Sequence, residues 1–99
     1  MSMNLKPGTQ AVNTTPALVG VSGAPTRVYT VTMISDGTAG VLKLYAGTGT
    51  GGTLIMQLDG TINKQVSFDS AMGIRFTNGC WMESDAHCAS GCITFSQEF

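Results

Sequence analysis

Cys80, His87, Cys88 and Cys92 are the ligand types that a tetrahedral zinc ion takes. Structural zinc sites are built from paired cysteine knuckles, and this stretch has only one pair, Cys88-x3-Cys92. His87 and Cys88 are adjacent, so on an extended chain they point to opposite faces. That spacing predicts no metal site. The same two cysteines suit a different bond. Cys88-Ala89-Ser90-Gly91-Cys92 reads as a hairpin with a short turn, which sets the sulfurs opposite each other at cross-strand distances of ~4.5–5.5 Å, inside the disulfide range. Closing so short a loop gains little entropy, and a reducing compartment favours thiols. Cys88 and Cys92 are therefore a candidate disulfide, set against buried, inert thiols.

Ser84-Asp85-Ala86-His87 gathers a serine, an acid and the chain's one histidine into a single run. Triad members normally converge from distant positions so that each orients the next; a solvated loop accounts for these neighbours more simply. The six carboxylates are dispersed, and no two pair as a glycosidase acid and nucleophile. Gly47-x-Gly49-x-x-Gly52 spells a dinucleotide fingerprint, but that motif needs a helix opening at its last glycine to meet the pyrophosphate. The residues that follow, Thr53 to Leu58, read as a strand, so a hairpin tip is expected. No catalytic, cofactor or metal residue is assigned, and a non-enzymatic protein is expected. What remains is apolar. Leu5, Tyr45, Trp81 and Phe99 are the candidate interface residues, since Trp and Tyr dominate contact hot spots. Trp81 alternates with Cys80 and Met82; facing outward it would anchor an interface or stack on a sugar, and facing inward it would be core.

The elements that must position these residues are strands. Arg27-Val28-Tyr29-Thr30-Val31-Thr32-Met33-Ile34 is dense in β-branched and aromatic side chains, which suit a pleated surface. Alternation puts Tyr29, Val31 and Met33 on one face and Val28, Thr30, Thr32 and Ile34 on the other. Further strands are expected at Ala17 to Val21, Val41 to Ala46 with Leu42 and Leu44 inward, and Thr53 to Leu58 with Leu54, Met56 and Leu58 inward. Lys64 to Asp69, Gly73 to Thr77, Cys80 to Glu83 and Gly91 to Phe95 complete the set. Asn78-Gly79 is a strong hairpin signal and Asp59-Gly60 a tight-turn signal. About seven or eight short strands at this spacing predict an all-β fold, a sandwich of two antiparallel sheets, with jelly-roll connections one way to close it. Residues 1–15 hold Pro7 and Gly8 with little apolar periodicity and read as an extended N-terminal arm or a short edge strand, whose removal should spare the fold. Residues 16–99 form the single sandwich domain.

Only 11% of the 99 residues are charged, while 42% are hydrophobic. Soluble domains carry roughly 25% charged residues, and disordered chains pair high charge with few apolar residues. A folded chain this poor in charge shows Thr, Ser, Gly and Gln to the outside, a surface cheap to desolvate, as interface cores are. The net charge is −1, and the five basic residues are scattered, so no stripe of the kind that binds nucleic acid is present. No apolar run reaches the ~20 residues of a membrane helix, and no signal-peptide pattern opens the chain; synthesis in a cytoplasm is expected.

From Arg27 onward the chain resembles a loose group of small phage virion proteins. The pieces that carry the likeness are Val28-Tyr29, Asp36-Gly37-Thr38, Leu42-Lys43-Leu44, Gly51-Gly52-Thr53, Val66-Ser67-Phe68 and the segment Gly73 to Met82. The cysteine-rich stretch from Cys80 to Cys92 departs from that pattern. The resemblance implies a capsid decoration or cement protein: a β-sandwich, commonly a homotrimer, on the capsid exterior. It would have the major capsid protein as partner and no contact with nucleic acid or membrane. Tail, collar or fibre parts are the alternative within that resemblance. A carbohydrate-binding sandwich with Trp81 and Tyr45 as stacking platforms is the non-viral alternative, and it requires exposed aromatics flanked by carboxylates or amides.

Overall fold

A computed structural model describes residues 5–20 and 23–98. Among the described residues the chain forms eight strands and no helix: β1 (Leu5–Ala11), β2 (Ala17–Val19), β3 (Thr26–Ser35), β4 (Val41–Ala46), β5 (Thr53–Asp59), β6 (Gln65–Phe76), β7 (Cys80–Ser84) and β8 (Cys88–Glu98). They make two four-stranded antiparallel sheets, sheet I in the order β1-β8-β3-β6 and sheet II in the order β2-β7-β4-β5. Each first-half strand pairs with its mirror image in the second half, β1 with β8, β2 with β7, β3 with β6 and β4 with β5. A long hairpin folded at the β4–β5 turn and rolled into two layers gives this order, and that is a jelly roll.

The expected all-β sandwich is thus present, with the β4–β5 hairpin around Gly47–Gly52 as its turn. Asn78-Gly79 does not make a hairpin. It forms a tight connection, but β6 belongs to sheet I and β7 to sheet II, so the turn carries the chain across the sandwich. The two strands expected over 64–77 are one, β6, in which residues 70–73 bulge out where the register against β3 jumps from Thr30↔Asp69 to Val28↔Ile74. Gly73, at φ 77°, supplies the left-handed backbone that this bulge needs.

The bulge also changes the phase of β3. Val28 and Val31 are both fully buried, although strict alternation places them on opposite faces. Tyr29 is displaced to half-burial, where its hydroxyl meets Ser96 Oγ at 3.0 Å. Residues 5–11 of the expected arm are an edge strand paired along β8 from Leu5↔Glu98 to Ala11↔Cys92, and Val12 is buried in the core. Deleting residues 1–15 therefore strips β1 from the edge of β8 and takes Val12 out of the core.

Between the sheets lie Val19, Val28, Val31, Met33, Leu42, Leu44, Phe76, Cys80, Met82, Cys88, Ile93 and Phe95. Side chains of this size contribute roughly 2 kcal/mol each on burial. Gly91 is the one backbone position in β8 that could not carry a side chain. At φ 150° an added Cβ would run into the carbonyl oxygen of Thr32 on β3.

Candidate interaction surface

The residues with chemical potential gather at the end of the sandwich formed by the β3–β4 and β7–β8 loops, where they stitch turns. Asp85 Oδ1 accepts from the His87 amide at 2.8 Å and Oδ2 from the Val41 amide at 2.9 Å. Asp36 Oδ1 accepts from the Thr38 amide at 2.9 Å and lies 3.1 Å from His87 Nδ1, while the Asp36 amide donates to the His87 carbonyl at 3.1 Å. The Thr38 amide is the main reason that the Asp36 pKa is lowered, with His87 adding to it. Burial pushes Asp85 upward, but the amides of His87 and Val41 and the Cys88 thiol outweigh it, so its pKa also falls. An imidazole and a carboxylate from another loop do meet here, yet no hydrogen bond joins Ser84 to His87, and the Ser84 hydroxyl is buried without a partner among the described residues. Each carboxylate is occupied in holding a loop.

The three cysteines are free thiols. The hairpin expected at Cys88–Cys92 is absent: both lie in the continuous strand β8, Cys88 beside Ser35 and Cys92 beside Thr32. Four residues along a strand is on the order of 12 Å, too far for a disulfide. Gly91, read as a turn residue, is where β8 passes close under β3. Cys80 is buried in β7, and burial pushes its pKa up to about 12; burial also raises Cys88, whose thiol donates to the Val41 carbonyl at 3.3 Å. Cys80 pairs beside Ala46, at the end of the sheet opposite His87, and among the described residues no three His, Cys, Asp or Glu side chains are placed to hold a metal ion. Cys92 differs from the other two. It is half-buried on the outer face of sheet I, in a row with Ala11, Thr32 and Ser67.

Of the four candidate interface residues, the structure brings Tyr45 and Trp81 together. They are cross-strand neighbours on the outer face of sheet II, in a row that runs Leu18, Trp81, Tyr45, Leu54 across all four strands. Leu54 belongs to this outer row and not to the core. β5 carries one extra residue, Ile55, between the pairs Leu44↔Met56 and Tyr45↔Leu54, and that bulge inverts the phase of the strand. The next row on the same face is Glu83, Lys43 and Gln57. With Val41, Ser84 and Asp85 these line an open groove of about 350 Å³. Glu83 Oε1 lies 3.5 Å from the Trp81 indole N–H. The side chain of Leu5 and the whole of Phe99 lie outside the described residues.

Sequence reasoning missed the flank formed by β5, β6 and the loop that joins them. No residue of β5 is buried, and Phe76 alone is buried in β6. The exposed large apolar side chains among the described residues are Leu54, Ile55, Ile62 and Met72, all on this flank, and Ile34 on β3, directly across from Gln65 of β6. Met72, at the tip of the β6 bulge, is 81% exposed. Beneath them Met56, Leu58, Val66 and Phe68 are only partly covered. The readable hints were Leu54-Ile55, an adjacent apolar pair in an alternating strand, and Ser70 to Gly73, a break between two alternating runs.

No protein-family model matches the chain, and no curated protein matches it. Among solved structures, the fold is similar to a protein described under "Bacillus endospore appendages form a novel family of disulfide-linked pili". The TM-score is 0.51 at 14% identity, over 99% of this chain and 86% of that one. At that identity the likeness is one of fold.

Proposed function

We propose that this protein is a non-enzymatic structural subunit that joins a larger assembly through its β5–β6 flank. The observation that carries this reading is the concentration of exposed apolar side chains on that one side, above a core left half covered. Exposed apolar side chains gathered along one edge of a fold are a mark of interaction sites on soluble proteins. A charged fraction of 11% supports it, because little charge need be desolvated when such a surface is covered.

The setting we propose is the exterior of a phage particle. There a homo-oligomer, a trimer in the first instance, bridges subunits of the major capsid protein as decoration or cement, with tail, collar or fibre parts as neighbouring roles. The resemblance from Val28-Tyr29 to Met82 is what supports that setting. The experiment is the native mass of the purified chain together with its co-sedimentation with particles. An oligomer that binds assembled capsids and ignores free capsid subunits supports decoration, and a monomer absent from particles refutes it.

A second reading is favoured by Cys92, the least buried of the three cysteines, on the outer face of sheet I. The fold neighbour is described as forming disulfide-linked pili. A filament subunit cross-linked at this thiol would dissociate on reduction and in Cys92→Ser, whereas a decoration subunit would be indifferent to both.

A further inference from the structure

We infer that the outer face of sheet II is a binding site for an uncharged oligosaccharide of β-linked, gluco-configured pyranoses, on a surface that borders the β5–β6 flank at Leu54 and Gln57 of β5. Two rows of side chains define it. Trp81 and Tyr45 supply adjacent aromatic surface. Two residues further along β7 and β4, Glu83 and Lys43 stand opposite each other, with Gln57 beyond Lys43 on β5. Rows two residues apart on one face are about 7 Å from each other, the scale of one pyranose ring. A sugar in this configuration carries its C–H bonds on a flat face and its hydroxyls around the rim, so it stacks on the aromatic row and reaches the polar one. The groove of about 350 Å³ lies beside the aromatic row, along the polar row and Val41, Ser84 and Asp85, and is at the small end of ligand sites.

The polar row has hydrogen-bonding capacity left to spend. Lys43 makes no hydrogen bond or ion pair among the described residues, and no ion pair closes between it and Glu83. The Gln57 amide N–H₂ is held by Asp59 at 2.7 Å, which leaves its carbonyl oxygen as an acceptor. Asp85, at the far end of the groove, is already taken by the Val41 and His87 amides. The groups on offer are thus one cation, one carboxylate and an amide carbonyl, and with the Asp85 carboxylate the lining carries one more negative charge than positive. Such a set selects a neutral ligand over a phosphate or a sulfated glycan. Sugar hydroxyls both donate and accept, so one ring can satisfy an ammonium and a carboxylate together, which an apolar peptide segment cannot do.

Trp81 is the chain's one tryptophan, so its fluorescence reports binding directly. Cellotriose and triacetylchitotriose, titrated into the full chain, should give a saturable change with at least one of the two. Tyr45→Ala and Glu83→Gln should each weaken that binding about tenfold or more, with the thermal melt of Glu83→Gln unchanged. No saturable change with either probe up to about 20 mM, or an affinity unmoved by Glu83→Gln, overturns the site. Met72→Asp, on the β6 side of the flank and in the other sheet, should leave the titration intact while lowering the native mass. Loss of sugar binding in Met72→Asp would overturn a site confined to sheet II, whereas loss of oligomers alone concerns the assembly reading.

Discussion

Leu54 of β5 stands opposite Tyr45 of β4, while Met56, two residues on, stands opposite Leu44. One extra residue, Ile55, therefore turns an apolar strand inside out at its first half and delivers Leu54 and Ile55 to the surface, 45% and 41% exposed. Truncation separates the two halves of this strand's pairing. Leu54→Ala should change stability by about 0.5 kcal/mol or less, and Leu42→Ala, buried in the neighbouring strand, should cost about 2–5 kcal/mol. Urea unfolding of the two variants decides it, and similar losses would place Leu54 in the core.

Gly91→Ala should be more damaging than its small size suggests. The residue sits at φ 150°, and its Cβ would meet the Thr32 carbonyl. Strain of this kind costs about 2 kcal/mol or more. A melt indistinguishable from wild type would show that β8 and β3 are not so closely apposed at this point.

Much of this architecture is visible in the residue pattern, and the parts that are not have physical causes. Alternation in Leu42-Lys43-Leu44 and Ile93 to Phe95 reads correctly because no extra residue falls within those segments. It fails at Val28, Leu54 and Ser70 to Gly73, where an extra residue inverts the side-chain phase, since a period of two has no tolerance for insertion. Asn78-Gly79 and Cys88 to Cys92 carry turn chemistry whose outcome depends on which sheet the next strand joins, and in a jelly roll most pairings are distant in sequence. Trp81 and Tyr45 were recognisable as surface candidates from type and alternation. Their neighbours Lys43, Gln57 and Glu83 become a site only through the register of three strands.

Acid should destabilise the loop end of the sandwich. Asp36 and Asp85 have pKa values lowered by the Thr38 amide in one case and, against the effect of burial, by the His87 and Val41 amides in the other. A carboxylate depressed in the folded state adds stability that is complete above its unfolded pKa of about 3.9 and is lost as pH falls through the lower folded value. Unfolding midpoints should hold steady from neutrality to about pH 4 and drop below it, and Asp85→Asn should flatten that drop. A drop of the same size in Asp85→Asn would remove Asp85 from this role.

Thiol reactivity should distinguish the cysteines. Cys80 and Cys88 are buried with raised pKa values, and the thiolate is the reactive form. A disulfide reagent should therefore titrate one thiol in the native protein, lost in Cys92→Ser, and all three after unfolding. Two unreactive thiols that remain unreactive after unfolding would restore a disulfide.

The flank formed by β5 and β6 is the centre of this account, and sedimentation of the full chain tests it most directly. Wild-type protein should run as an oligomer, and the double variant Ile55→Asp with Met72→Asp should run at one chain's mass with an unaltered melt. Wild-type protein that stays at one chain's mass up to about 100 μM, or a double variant that assembles as well as wild type, would contradict it.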